Sequence, residues 1–91
     1  VMLKFKHAAA VEAVAYLLSE QARLSSEEPG CARFEVYHSQ ADHLQFLLVE
    51  QWNTESDLAR HKEAKAFTEL YLPKVIPLVE RVPHLSHLVW P

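Results

Sequence analysis

Apolar and polar residues follow two different periods along this chain of 91 residues. In the first seven residues, Val1, Leu3 and Phe5 share one side, which is the period of a β-strand. From position 8 to position 24, apolar residues recur every three or four positions, which is typical of an amphipathic α-helix. The same two periods divide the rest of the chain. They predict strands over residues 1–7, 31–39, 43–52 and 84–90, and helices over residues 8–24, 54–64 and 67–79.

Turn-forming and capping residues mark the ends of these elements. The sequence SSEEPG ends the first helix, because its proline cannot continue a helix and Gly30, the only glycine, can take a positive φ. Thr54 is suited to cap the second helix, with Asp57 placed to reach back toward it. Pro73 and Pro77 are expected to kink or divide the third helical segment.

The third predicted strand follows a polar hairpin connection at residues 39–42 and is apolar on both sides at its centre. Phe46 and Leu48 point to one side, and Leu47 and Val49 point to the other. In a small antiparallel sheet, one face normally meets water. We therefore expect a second copy of the chain to cover the second face.

The order of elements is β-α-β-β-α-β, the ferredoxin-like arrangement of α+β proteins. It predicts a four-stranded antiparallel sheet with the helices on one face. A chain of 91 residues fits one domain, residues 1–91. A fold of this kind does not by itself identify a function.

Charge and composition argue against several classes of partner. The net charge is −3, and the 9 basic residues are scattered along the chain, so neither a phosphate-binding face nor a nucleic-acid partner is expected. No apolar run approaches the ~18 residues of a membrane span, and the N-terminus lacks the pattern of a signal peptide. We therefore expect a cytoplasmic protein with no membrane partner.

No metal site is expected either. Cys31 is the only cysteine, so neither an internal disulfide nor a cysteine-based metal cluster can form within one chain. Its thiol is expected to be inert. His84 and His87 look like a ligand pair, but three residues apart on a predicted strand they point to opposite faces. The chain has no glycine-rich phosphate loop and no nucleophile elbow.

Three stretches of the chain combine in a pattern that points to a family. They are EPGCARFEV at residues 28–36, FLLVEQWNTESDLARH at residues 46–61, and Phe67 six residues further on. Their specific features are the EPG turn before the second strand, the Glu-x-Trp that ends the third strand, and a helix histidine nine residues after the tryptophan. The pattern resembles the antibiotic biosynthesis monooxygenase (ABM) family, most closely its small quinol-monooxygenase-like members. By position, Glu50, Trp52, His61 and Phe67 match the family.

This resemblance implies a homodimer, a dimeric α+β barrel in which two sheets pack face to face. It also implies a pocket between sheet and helices, where O₂ oxidises an electron-rich small aromatic such as a quinol without metal, flavin or other cofactor. The chain departs from the family pattern at Ala66, where many members have a second histidine, and at Ala8-Ala9, where Pro-Gly is usual. Haem-degrading relatives also use an asparagine on the first strand, which this chain lacks, so haem degradation is disfavoured.

Cofactor-free oxygenation needs a substrate that gives an electron to O₂ once deprotonated, together with a base, an apolar cavity and orientation. His61 is the candidate base, because an imidazole titrates near neutral pH. Glu50 is expected either to orient His61 or to accept a proton itself. Trp52, the third catalytic candidate, would flank a planar substrate ring. The candidate substrate-binding residues are Phe34, Phe46, Phe67 and Tyr71.

Each of these residues also has a structural interpretation, as a core aromatic, a hydrogen-bonded buried histidine or a strand-edge ion pair. A non-catalytic, dimeric small-molecule-binding or stress-related protein is therefore an alternative, which Ala66 favours. A third hypothesis is an isomerase that uses His61 as a proton shuttle. Dependence on O₂ separates the first hypothesis from the third, and any turnover separates both from the second.

Overall fold

Four strands form one antiparallel sheet, and its two central strands are the first and third of the chain. The computed structural model describes residues 1–91. The strands are β1 (Met2–Phe5), β2 (Cys31–His38), β3 (Gln45–Trp52) and β4 (Val79–Val82), and their order across the sheet is β2-β3-β1-β4. Every pairing is antiparallel. The predicted ferredoxin-like α+β fold is confirmed.

Helical segments cover one face of this sheet. They are α1 (Val11–Ser26), which follows a 3₁₀ turn at Ala8–Ala10, α2 (Glu55–His61), and a π helix at Ala66–Val75 that leads into a 3₁₀ turn at Ile76–Leu78. Pro73 lies inside the π helix, and Pro77 lies in the 3₁₀ turn, so the segment is divided near its second proline only. None of the helices has the length and apolar content that a membrane crossing requires.

The hydrophobic core lies between these helices and the inward face of the sheet. Leu3 and Phe5 from β1 meet Phe46 and Leu48 from β3, and the rings of Phe5 and Phe46 stack with centroids 5.1 Å apart. The helical side of the core consists of Val11, Val14, Leu18, Tyr71 and Val75. Burial of each of these apolar side chains contributes about 1.5–3 kcal/mol to the free energy of folding. The face of each strand that carries the apolar residues therefore turns toward the helices.

The buried stripe of α1 ends on polar residues. Val14, Leu18, Gln21 and Ser25 follow helical spacing, and none is more than 1% exposed. Ala22, an apolar neighbour in the same turn, is only partly buried. The side-chain oxygens of Gln21 and Ser25 have no hydrogen-bond partner in the chain. Burial of such a group costs about 1–3 kcal/mol, so the C-terminal half of α1 gains less from packing than its start.

The prediction of a strand over residues 84–90 is wrong. The last strand is β4, and its final residue, Val82, pairs with Met2 at the start of β1. β1 therefore offers no strand residue opposite Pro83, which also has no amide hydrogen to donate. Residues 83–91 have no regular structure. Four of their large apolar side chains are at least 65% exposed, namely Leu85, Leu88, Val89 and Trp90.

The outward face of the sheet carries a row of apolar side chains that the chain does not cover. Tyr37 on β2 pairs with Leu47 on β3, Leu47 pairs with Met2 on β1, and Met2 pairs with Val82 on β4. Tyr37, Leu47 and Val82 are 47%, 40% and 48% exposed. We call these four residues the outer strip. It crosses all four strands on the face opposite the helices.

The Glu-Pro-Gly turn between α1 and β2 is held against the start of α2. Gly30 has a φ of 81°, and its carbonyl oxygen accepts the backbone N–H of Asn53 at 2.8 Å. A β-carbon at position 30 would overlap the carboxyl group of Asp57. Asp57 is itself fixed, because its backbone N–H donates to the Thr54 hydroxyl as the predicted helix cap, and its carboxylate accepts from Thr54 and Arg60. Only glycine fits this turn.

Replacing Gly30 with alanine should destabilise the protein by more than the about 1–2 kcal/mol that a left-handed backbone costs a residue with a β-carbon. The additional loss comes from the clash with Asp57. Urea unfolding followed by circular dichroism measures it. Gln40→Ala, at an exposed position, is the control and should stay within about 0.5 kcal/mol of the unchanged protein. Equal stability of Gly30→Ala would contradict the close approach of the turn to α2.

Candidate active site

His61 is the last residue of α2, and its side chain turns toward the sheet. Thr54 caps α2 directly after β3 ends at Trp52, and the helix has 7 residues. These 7 residues form about two helical turns, which bring the C-terminal end of α2 back over the C-terminal end of β3. The ring centroids of His61 and Trp52 are 4.5 Å apart. The His61 side chain is only 3% exposed.

Aromatic rings enclose the His61 imidazole on several sides. Besides Trp52, Phe67 lies edge-on with its centroid at 5.4 Å, and Phe34 lies at 5.9 Å. Tyr71 continues the group, with its centroid 5.3 Å from that of Phe67. β2, β3 and the π helix thus each bring an aromatic side chain to one histidine. We call Phe34, Trp52, Phe67 and Tyr71 the aromatic cluster.

Phe46 does not belong to this cluster, although it shares the inward face of β3. It stacks between Phe5 and His38, at centroid distances of 5.1 Å and 4.1 Å. Six strand residues correspond to about 20 Å, so Phe46 and Trp52 lie at opposite ends of β3. The structure therefore gives Phe46 a packing role in the core and no contact with His61.

Two carboxylates lie at the two nitrogens of the imidazole. An oxygen of Glu28 is 2.8 Å from Nδ1, and an oxygen of Glu50 is 3.7 Å from Nε2. The longer distance exceeds that of a hydrogen bond, and the same Glu50 oxygen already accepts the indole N–H of Trp52 at 3.1 Å. From the sequence, Glu50 was expected either to orient His61 or to accept a proton itself. In the structure, Glu28 makes the hydrogen bond that orients the ring.

Glu28 was missed by the sequence analysis because it lies in a turn, 33 residues before His61. Strand pairing explains why the two meet. Cys31, the first residue of β2, pairs with Trp52, the last residue of β3. The turn before β2 therefore lies beside the connection from β3 to α2. The β2–β3 hairpin register is the signal that could have pointed to Glu28.

An open cleft of about 1480 Å³ lies beside the aromatic cluster. Its wall includes Glu50, Trp52, His61, Phe67 and Tyr71, whereas Glu28 and Phe34 do not reach it. The imidazole therefore meets the cleft with its Nε2 edge, while its Nδ1 edge packs on the turn. Residues 83–88 of the irregular C-terminal segment form another border of the cleft.

Tyr71 and Arg81 form a polar pair at this cleft. Arg81 Nε donates to the Tyr71 hydroxyl at 3.0 Å, and the guanidinium carbon is 6.0 Å from the centre of the Tyr71 ring. Burial raises the pKa of Tyr71 above its usual value, and the hydrogen bond and charge of Arg81 lower it part of the way back. Tyr71 is therefore a neutral phenol at neutral pH.

Cys31 and the histidines of the C-terminal segment do not extend the site. Burial raises the pKa of the Cys31 thiol, and the charges of Glu28 and Glu50 raise it further, so the thiol is a poor nucleophile at neutral pH. His84 and His87 lie in an irregular segment, so they are not separated onto the two faces of a strand as the sequence predicted. No three side chains of His, Cys, Asp or Glu come together as a ligand set for a metal ion.

Comparison with known proteins decides the family. The profile of the antibiotic biosynthesis monooxygenase family matches residues 1–71. The matched part contains Glu28, Glu50, His61 and the whole aromatic cluster. The chain belongs to this family. No curated protein sequence matches the chain.

Solved structures share the fold of this ABM protein. A candidate antibiotic biosynthesis monooxygenase from Nitrosomonas europaea is 25% identical over 89% of this chain and 77% of that one, with a TM-score of 0.79. A candidate from Deinococcus radiodurans is 15% identical over 98% and 95%, with a TM-score of 0.76. A conserved protein from Methanosarcina mazei is 18% identical over 89% and 79%, with a TM-score of 0.78. At these lower identities, the last two likenesses show the fold alone.

Family membership places the chain among proteins described as monooxygenases, which are oxidoreductases. Neither the family nor the similar structures name a substrate for it.

Replacing Arg81 with glutamine should raise the pKa of Tyr71 further, because the neighbouring charge that lowers it is removed. The phenol carbon signals of the three tyrosines, followed by NMR as the pH rises, report this change. Lys65→Gln, which removes an exposed charge, is the control. A Tyr71 pKa that is the same with and without Arg81 would contradict the hydrogen bond.

Proposed function

We propose that this ABM protein is a cofactor-independent monooxygenase that oxidises a quinol-like, electron-rich aromatic molecule with O₂. The observation that carries the proposal is the buried His61 imidazole, whose Nε2 edge meets an open cleft walled by Trp52, Phe67 and Tyr71. An apolar, aromatic wall suits a planar ring, and one basic nitrogen suits the removal of a phenolic proton.

The chemistry begins with transfer of a substrate hydroxyl proton to His61. The electron pair left on oxygen makes the ring electron-rich enough to give one electron to O₂, which yields a substrate radical and superoxide. Their combination forms a carbon–oxygen bond, and cleavage of the O–O bond then releases water. For a naphthoquinol, one oxygen atom of O₂ enters the hydroxylated quinone product and the other leaves as water. The substrate supplies all the electrons, so the scheme requires neither metal nor flavin.

The protein's part in this scheme is to hold the ring, receive the proton and limit water. The rings of Trp52 and Phe67 lie 4.5 Å and 5.4 Å from the imidazole. All three residues line the cleft, so a planar ring bound there would contact both the aromatic cluster and Nε2. A positioned general base contributes about 10²–10⁴-fold to such a reaction. Orientation and exclusion of water add to this contribution.

A second candidate function is a binding protein that keeps the pocket without catalysis. Ala66 favours it, because this residue begins the π helix directly before Phe67 and is 4% exposed. Many family members have a second histidine at this position, and a methyl group cannot exchange a proton. Saturable binding of aromatic ligands without oxygen consumption would identify this function.

The outer strip supports the further proposal of a homodimer. Tyr37 and Leu47 are direct neighbours across the sheet, and Met2 connects Leu47 to Val82, so the four side chains form an unbroken row. A contiguous apolar row on an otherwise uncovered sheet face is typical of an association surface. A second copy of the same chain would cover it with the same strip, in the self-complementary manner of a two-fold dimer.

Oxygen uptake with reduced naphthoquinols and anthrone-like phenols tests the proposed activity. These compounds also oxidise spontaneously, so only uptake above the protein-free rate counts. His61→Ala should lose about 10²-fold or more of the enhancement, because the general base is gone. Trp52→Phe should lose less, because a flat ring remains at the wall. His7→Ala, at an exposed histidine, is the matched control and should behave as the unchanged protein.

Enhanced uptake that survives unchanged in His61→Ala would contradict the role given to this residue. Uptake no faster than the protein-free rate, together with saturable binding of the same compounds, would favour the binding protein.

Light scattering at micromolar concentration should give a mass of about twice the 10.5 kDa of one chain. Leu47→Arg should shift the protein to monomer, because it places a charge in the middle of the outer strip. Tyr16→Arg, a substitution of a side chain that is 67% exposed on α1, should leave the dimer intact. A stable monomer of the unchanged protein would overturn the dimer proposal.

A further inference from the structure

The carboxylate of Glu28 reaches His61 from the turn between α1 and β2. The Nδ1–oxygen distance is 2.8 Å, and the two side chains are 3% and 16% exposed. We propose that Glu28 is a positioning residue that holds His61 as the Nδ1–H tautomer and thereby makes Nε2 the atom that takes the substrate's proton. This inference rests on the proposed function, in which His61 is the base.

The tautomer follows from what each group can donate and accept. An ionised carboxylate only accepts hydrogen bonds, and a neutral imidazole carries a single N–H. The nitrogen that faces Glu28 at hydrogen-bond distance is Nδ1, so Nδ1 holds the hydrogen and Nε2 holds a lone pair. No hydrogen bond from the chain reaches Nε2, and the Glu50 oxygen that lies 3.7 Å from it is itself an acceptor.

The same arrangement suits the charged state that follows proton transfer. The substrate O–H bond breaks, the proton joins Nε2, and the electron pair stays on the substrate oxygen. The imidazolium then donates from Nδ1 to Glu28, and its Nε2 edge lies beside Glu50. They are the only two carboxylates with an oxygen within 4.0 Å of a ring nitrogen. Because the His61 side chain is only 3% exposed, both negative charges stabilise the positive charge that forms more strongly than they would in water.

The fold holds both partners of this hydrogen bond in one packed unit. Two residues after Glu28, Gly30 accepts the Asn53 N–H and lies against the Asp57 carboxylate, one turn before His61 on α2. The Glu28 carbonyl oxygen also accepts the Cys31 N–H at 3.1 Å. The backbones that carry Glu28 and His61 are therefore tied to each other directly. Such a bond is pre-organised and does not have to form anew when substrate arrives.

Imidazole ¹⁵N NMR at neutral pH, on the protein without substrate, tests the tautomer directly. The His61 signals are assigned by their absence in His61→Ala. We expect a protonated Nδ1 and an unprotonated Nε2 in the unchanged protein, and loss of this preference in Glu28→Ala. Glu27→Ala, which removes the exposed neighbouring glutamate of the same turn, is the matched control and should keep the tautomer.

An Nε2–H tautomer in the unchanged protein, a ring protonated on both nitrogens, or an unaltered tautomer in a folded Glu28→Ala would each overturn the proposal. If Glu28→Ala does not fold, Glu28→Asp carries the same test. Its shorter side chain withdraws the acceptor from Nδ1 while keeping the charge, so the Nδ1–H preference should again weaken.

Turnover supplies the second readout. Glu28→Ala should lower kcat about 10–100-fold, the range typical of a residue that orients a functional histidine, with little change in KM. Glu28→Gln should recover part of this loss, because its amide oxygen still accepts from Nδ1. A kcat of Glu28→Ala equal to that of the unchanged protein would overturn the positioning role even if the oxygenase is real. Absence of any turnover would defeat the proposed function and leave the NMR result to decide the tautomer.

Discussion

The approach of Gly30 to the Asp57 carboxylate is the constraint on which the candidate site depends. It joins two connections that are far apart in the chain, the turn from α1 to β2 and the connection from β3 to α2. Only a residue without a β-carbon permits the contact, which holds the turn that carries Glu28 against α2, where the Glu28 carboxylate lies at His61 Nδ1. A backbone requirement at one glycine thereby sets the orientation of an imidazole 31 positions later in the chain.

The two faces of the sheet serve different purposes. The inward face combines a packed core at one end, around Phe5 and Phe46, with the aromatic cluster at the other. His61 is thus held by rigid elements, as a positioned base requires. The outward face has no such cover and carries the outer strip. In the proposed homodimer the outer strip would bury against its copy, and the cleft would border this interface, because its wall also includes Met2 and Leu47 of the strip.

Much of the fold could be predicted from the sequence, because period and turn chemistry are local properties. The alternation of β1 to β3, the spacing of α1, the cap at Thr54 and the positive φ of Gly30 all follow from residues close together in the chain. The last strand was misplaced for a non-local reason. Neither residues 79–82 nor residues 84–90 alternate strictly between apolar and polar side chains, and the pairing with β1 decides between them.

The candidate site also contains contacts that local sequence predicts and contacts that depend on distant parts of the chain. His61 follows Trp52 by nine residues in one continuous strand–helix stretch. Their proximity depends only on local structure and could be predicted from the sequence. Glu28 could not be found by period or spacing, because its contact depends on the register between β2 and β3. Phe46 was drawn into the substrate-binding set by sharing a strand face with Trp52. Period alone does not reveal that it lies at the other end of that strand.

The most direct test of the account is turnover of a reduced naphthoquinol under ¹⁸O₂, with mass spectrometry of product quenched before exchange with water. The account predicts that one labelled oxygen atom enters each product molecule, at a rate above the protein-free reaction and above that of His61→Ala. Product formed without label, or labelled product formed no faster than in the absence of protein, would contradict it.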